Sequence, residues 1–139
     1  MGMTLTDRMS MLPGALARNA GLAFVCTTVA VRVERDDLPL LAGLRRGDVL
    51  RLPIAHHDGR YVADAATLDA LERDRRVALR YLPGDNPNGA DRDVAGVLNA
   101  AGNVLGMMPH PERAADELLG GLDGVPLLRA FARASGVLA

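Results

Sequence analysis

Apolar and polar positions along this chain change period several times, and the changes mark out alternating strands and helices. Over residues 25–34, Val29, Val31 and Val33 alternate with Ala30, Arg32 and Glu34, the period-two pattern of a strand with one wetter face. Residues 41–48 form a Gly-punctuated connection, and Val49-Leu50-Arg51-Leu52-Pro53-Ile54 predicts a second strand. The spacing then turns helical over residues 67–75. Leu68, Leu71 and the following Val77 are its apolar positions, while Asp69, Glu72, Arg73 and Asp74 face solvent. Three further strands are expected at 76–82, 94–99 and 103–108, the last two joined by Asn99-Ala100-Ala101-Gly102-Asn103 as a hairpin. Two helices close the chain, 111–119 and 125–134, separated by Gly120-Gly121-Leu122-Asp123-Gly124. The second sets Leu127, Leu128 and Phe131 on one face. A short helix at the start should end near Leu12-Pro13-Gly14. Interleaved strands and helices make the class α/β, with residues 1–139 as a single domain.

Composition narrows the function classes. The 139 residues are 49% hydrophobic, enough for one core, with no repeat, low-complexity tract or dividing linker. Sixteen basic residues, all arginine, are scattered among seventeen acids, and the net charge of −1 offers no general attraction to nucleic acid or membrane. The only aromatics, Phe24, Tyr61, Tyr81 and Phe131, supply no platform for stacking bases. No apolar run reaches the length of a membrane span and no signal-peptide pattern opens the chain, so a soluble cytoplasmic protein is expected. Cys26 is the sole cysteine, which excludes an internal disulfide. Its β-branched, apolar surroundings predict a small buried hydrophobe in a strand and not a nucleophile.

Candidate chemistry concentrates in Gly102-Asn103-Val104-Leu105-Gly106-Met107-Met108-Pro109-His110-Pro111-Glu112-Arg113. The two prolines hold the backbone extended around His110, and Pro111 followed by Glu112 suits the first turn of a helix. The helix's positive end would disfavour protonation of His110. A carboxylate from Glu112 reaching Nδ1 would leave Nε2 free as a base. The plain alternative is a surface helix terminus carrying these two residues without a task. A second cluster is Ala55-His56-His57-Asp58-Gly59-Arg60. Its paired histidines and acid suggest a metal, but no further ligand has a recognisable spacing and no metal site is expected. Asn86-Pro87-Asn88-Gly89 reads as a turn.

The segment from Asp85 to Ala90, with Asp93-Val94-Ala95-Gly96-Val97, Asn99 and the run from Gly102 to Arg113, resembles the glutaminase subunits of phosphoribosylformylglycinamidine synthase, which are class I glutamine amidotransferases. The resemblance continues in order through Leu12-Pro13-Gly14-Ala15-Leu16, Arg18-Asn19, Phe24-Val25-Cys26, Val31-Arg32-Val33-Glu34, Leu52-Pro53-Ile54-Ala55-His56, Gly59-Arg60-Tyr61 and Arg80-Tyr81-Leu82. It therefore covers nearly all of residues 12–131.

The resemblance implies a flavodoxin-like, largely parallel sheet flanked by helices, of which this chain is the C-terminal part, incomplete at the N-terminus. Exposed sheet edges would then favour poor solubility or association. It implies His110 and Glu112 as catalytic base and orienter, and His56 as a residue of the substrate side or of a structural loop. The family's nucleophile is a cysteine in a Gly-x-Cys-Asn-Gly-Phe-Gln turn, which by spacing falls at or just before Met1, so this chain alone should be inactive. The family usually reads Ala-His-Gly-Glu-Gly-Arg where this chain has His57 and Asp58 in place of Gly and Glu. His57 is disfavoured there if the position needs positive φ. Ala90 replaces a serine, and the loop 86–89 would line the active-site mouth or touch the synthetase. The implied partners are a large ATP-dependent synthetase subunit, a small accessory subunit and glutamine as substrate. ATP and magnesium would sit on the synthetase, with no cofactor here. A different class of reading is a non-catalytic amidotransferase-like binding or assembly module. A weaker one is an unrelated hydrolase using His110 and Glu112 with a nucleophile such as Ser10.

Overall fold

The alternation around Val31 is realised directly: Val29, Val31 and Val33 are buried while Arg32 is exposed. The computed structural model describes residues 12–118 and 120–138, so the helix expected at the start and Ser10 lie outside the described residues. In chain order the elements are β1 (Ala15–Ala17), β2 (Val25–Val33), β3 (Val49–His56), β4 (Arg60–Val62), α1 (Ala65–Arg73), β5 (Val77–Tyr81), β6 (Val94–Leu98), β7 (Leu105–Met107) and α2 (Val125–Ala134). Single 3-10 turns lie at Pro39–Leu41 and Pro111–Arg113, and Asp91–Asp93 is a turn in which Arg92 and Asp93 take positive φ.

Five strands form one sheet in the order β3-β2-β5-β6-β7, and β1 pairs separately with β4. All pairings among the described strands are antiparallel, so the α/β class stands while the parallel part of the expected sheet has no counterpart in this segment. For β6 and β7 the reason is local. A parallel pair needs a long crossover, and the connection 99–104 between β6 and β7 permits only the hairpin that its turn residues predict. All five residues of β6 are buried, so both of its faces are covered. Around it the core gathers Val29, Val31, Leu50, Leu52, Ile54, Leu79, Tyr81, Val97, Leu98 and Leu127.

Helix α1 begins two residues earlier than its apolar spacing suggests, because the Asp64 carboxylate accepts the Thr67 N–H at 2.7 Å and caps it. It ends in a Schellman motif, with Arg76 N–H on Leu71 O, Arg75 N–H on Glu72 O, and Arg75 at φ 54° where glycine is usual. Helix α2 has the expected bounds and buries Leu127 and Ala130, with Leu128 and Phe131 half-buried. The helix expected over 111–119 is absent: Pro111–Arg113 is one 3-10 turn. Ala114 leaves helical geometry at φ −125°, and its carbonyl is taken by the Gly124 N–H at 2.8 Å instead of by a following turn. Only a glycine fits at 124, since a Cβ there would lie 1.9 Å from the Pro111 carbonyl oxygen.

Cys26 is exposed, against the burial expected of it. It pairs with Ala55, and side chains of directly paired residues share a sheet face. Cys26, Thr28 and Ala30 thus occupy the face opposite the core-directed Val29 and Val31, and the β2 segment Cys26–Thr28 is open to solvent.

Although β3 and β7 are opposite edges of the sheet, the sheet curls until they meet. The His110 N–H, just beyond β7, donates to the Pro53 carbonyl of β3 at 2.8 Å. In an antiparallel edge strand a residue's N–H and C=O point the same way. Pro53's missing N–H therefore faces outward, and a proline costs the ladder nothing there. The candidate site lies on this seam.

Candidate active site

His110 and Glu112 come together as the sequence predicts. His110 is held extended at φ −101° and ψ 92°, as a residue before proline prefers, and Glu112 turns back within the 3-10 turn. His110 Nδ1 lies 2.7 Å from Glu112 Oε1. A carboxylate accepts, so Nδ1 carries a proton, and in the neutral ring Nε2 is then bare. The helix expected to act on His110 is a single turn of three residues, too short for the macrodipole argument made from the sequence.

His56, at the end of β3, completes the cluster. Its Nε2 is 3.0 Å from His110 Nε2 and 3.1 Å from the Met108 carbonyl, and the two rings meet edge to face at 4.7 Å between centroids. Burial first, then the charge that His110 carries when protonated and that of Arg113, hold the His56 pKa below its ordinary 6.5. His57, next along the chain, instead meets the Phe24 ring edge to face at 5.1 Å between centroids. It is not among the residues with positive φ, so the replacement of glycine carries no backbone strain. Asp58 is exposed and makes a loose 3.8 Å pair with Arg18.

Asn19, to which its place in the sequence assigns no role, is a structural residue of the site. Wholly buried, it donates through Nδ2 to the carbonyls of Ala23 and His56, and its Oδ1 accepts the Gly59 N–H. It thereby clamps both ends of the loop 56–59. The turn 86–89 packs behind the same loop, where the Ala20 N–H donates to Asn88 O and Arg60 Nε donates to Gly89 O. Asn86 closes that turn on the backbone of Ala90, whose side chain is itself buried. Asn-x-Asn-Gly spacing marks the turn but not what it supports.

Cys26 cannot serve His110. His56 pairs with Val25, one register position from Cys26, so His56 and Cys26 project from opposite faces of the β2–β3 ladder. No group of three or more His, Cys, Asp or Glu residues able to hold a metal is found among the described residues.

Residues 6–120 match the family model of the CobB/CobQ-like glutamine amidotransferase domain. The chain belongs to this family. Among amidotransferase relatives, the phosphoribosylformylglycinamidine synthase subunit PurQ of Ruegeria pomeroyi is 53% identical over 133 residues, covering 96% of this chain and 59% of the relative. Subunit PurQ of Thermus thermophilus is 51% identical over 137 residues, covering 95% and 60%. The solved structure of PurLQS from Thermotoga maritima aligns with a TM-score of 0.77 at 41% identity, over 92% of this chain and 56% of that one. This amidotransferase chain thus spans little more than half the length of those relatives. No helix among its described residues is long and apolar enough to cross a membrane.

Proposed function

We propose that this chain carries the base half of a glutaminase site, serving a cytoplasmic phosphoribosylformylglycinamidine synthase of purine biosynthesis. The 2.7 Å contact between His110 Nδ1 and Glu112 Oε1 carries this reading, because it leaves a bare Nε2 on an oriented imidazole. In this role His110 Nε2 takes the proton of a cysteine thiol. The thiolate attacks the side-chain amide carbon of glutamine, and His110 returns the proton to the departing ammonia. Water then hydrolyses the thioester to glutamate. The ammonia passes to a large synthetase subunit, which holds ATP and magnesium and works with a small accessory subunit; this chain needs no cofactor of its own. Both the PurQ names of the relatives and the PurLQS neighbour support these partners.

The sequence contains only Cys26, on the wrong face, so the thiol has to come from outside these residues. That observation favours a second reading, a non-catalytic amidotransferase-like module that binds the synthetase. Glutamine hydrolysis separates the two when measured, with synthetase present, for this chain and for a version extended upstream by the Gly-x-Cys turn. Glutamate released by the extended protein alone supports the glutaminase reading. Binding without activity in either supports the module.

A further inference from the structure

His110 and Glu112 account for a base and its orienter, and His56 lies against them with no role in that scheme. Its protonation follows from its neighbours. The Met108 carbonyl 3.1 Å from His56 Nε2 can only accept, so Nε2 carries the proton. His56 Nδ1 is buried with no hydrogen-bond partner, and a proton there would be an orphaned donor. His110 holds its own proton on Nδ1 against Glu112, so its bare Nε2 meets the His56 Nε2–H at 3.0 Å. One arrangement of two neutral rings accounts for all three contacts, with the single His56 Nε2–H shared between the Met108 carbonyl and His110 Nε2. A second proton on His110, at Nε2, would set donor against donor and force His56 off the Met108 carbonyl.

We propose that His56 is a positioning residue for His110. Anchored on Met108, its Nε2–H occupies the nitrogen that must receive a nucleophile's proton, and it fixes the ring in the Nδ1–H tautomer until a thiol takes over the contact. This rests on His110 being the base of the glutaminase reading. The curled sheet makes the pairing possible, because it brings the end of edge strand β3 against the residues following the opposite edge strand β7. The clamp of Asn19 on the His56 carbonyl sets the ring's height in the seam.

With three histidines in the sequence, nitrogen NMR reads the arrangement directly. The full chain is labelled with 15N-histidine and long-range proton–nitrogen spectra are recorded above the ordinary histidine pKa. The expected spectrum has His56 protonated at Nε2, His110 protonated at Nδ1, and a scalar coupling between the two Nε2 atoms across the hydrogen bond. His56→Gln retains a side-chain N–H donor and should preserve the His110 pattern. His56→Leu should move the His110 Nε2 resonance to that of an unbonded ring nitrogen and leave His57 unchanged. A proton on His56 Nδ1 or His110 Nε2, a missing coupling, or an unmoved His110 Nε2 in His56→Leu overturns the proposal. The wild-type spectrum decides alone if the leucine variant fails to fold. No glutamine enters the experiment, so its outcome is separable from failure of the glutaminase reading.

Discussion

Replacing Asn19 by alanine should destabilise the fold by about 3 kcal/mol, since three hydrogen bonds of about 1 kcal/mol each are lost with buried backbone groups left behind. The bonds run from Nδ2 to Ala23 O at 2.8 Å and to His56 O at 2.6 Å, and from the Gly59 N–H to Oδ1 at 3.0 Å. The Gly59 N–H is the costliest orphan. It is buried, and the Asn88 amide crowds Gly59 so closely that a Cβ there would sit 2.5 Å from Asn88 Nδ2. The assay is urea unfolding followed by circular dichroism, with the shift in midpoint read at constant slope. Arg18→Ala serves as the neighbouring control. Arg18 is exposed and its only ion pair among the described residues is at 3.8 Å, so that change should stay within about 0.5 kcal/mol. A loss below about 1 kcal/mol for Asn19→Ala would refute the clamp. The loop 56–59 would then be held by its backbone contacts alone.

Gly124→Ala should destabilise by about 3 kcal/mol in the same assay, because the new Cβ meets the Pro111 backbone at 1.9 Å and can be relieved only by moving the turn that carries Glu112. Arg75→Gly should stabilise by about 1 kcal/mol, as it removes a left-handed arginine at the end of α1 at the cost of one exposed ion pair with Asp37. The pH dependence follows from the lowered pKa of His56. The unfolded chain protonates there first, so this contribution to stability is complete above 6.5, falls as the pH drops from 6.5 through the folded value, and is absent in His56→Gln. Asp37 and Asp64, held low chiefly by Arg35 and by the Thr67 N–H, add a separate loss that begins only as the pH approaches 3.8. Denaturant midpoints measured across pH separate the two windows.

Elements whose signal is local were legible in the sequence. The alternation at Val29–Val33, the apolar spacing of Leu68 and Leu71, and the hairpin after Asn99 each depend on neighbouring residues, and each formed within a residue or two of its expected bounds. Strands β1 and β4, three residues each, leave no mark in the apolar pattern. They are too short for a period, and they exist through the distant pairing of Ala15 with Val62. Pro111 with Glu112 signals a helix start equally for one turn or three, and the carbonyl of Ala114 stops it by bonding to Gly124. The exposure of Cys26 is not legible in the sequence, because an apolar run says nothing about which sheet face is covered. In the site, the His110–Glu112 pair lies within one turn and could be read directly. The His56–His110 contact joins residues 54 apart across the seam of a curled sheet, which no spacing encodes.

The central claim is that His110, oriented by Glu112, is the base for a thiol that cleaves glutamine. The most direct measurement is glutamate release by the version extended upstream through the Gly-x-Cys turn, assembled with its synthetase, compared with its His110→Ala and Glu112→Gln variants. The account predicts a fall in kcat of about 10²–10⁴ for His110→Ala and a smaller fall for Glu112→Gln. Unchanged glutamate release in His110→Ala would contradict it.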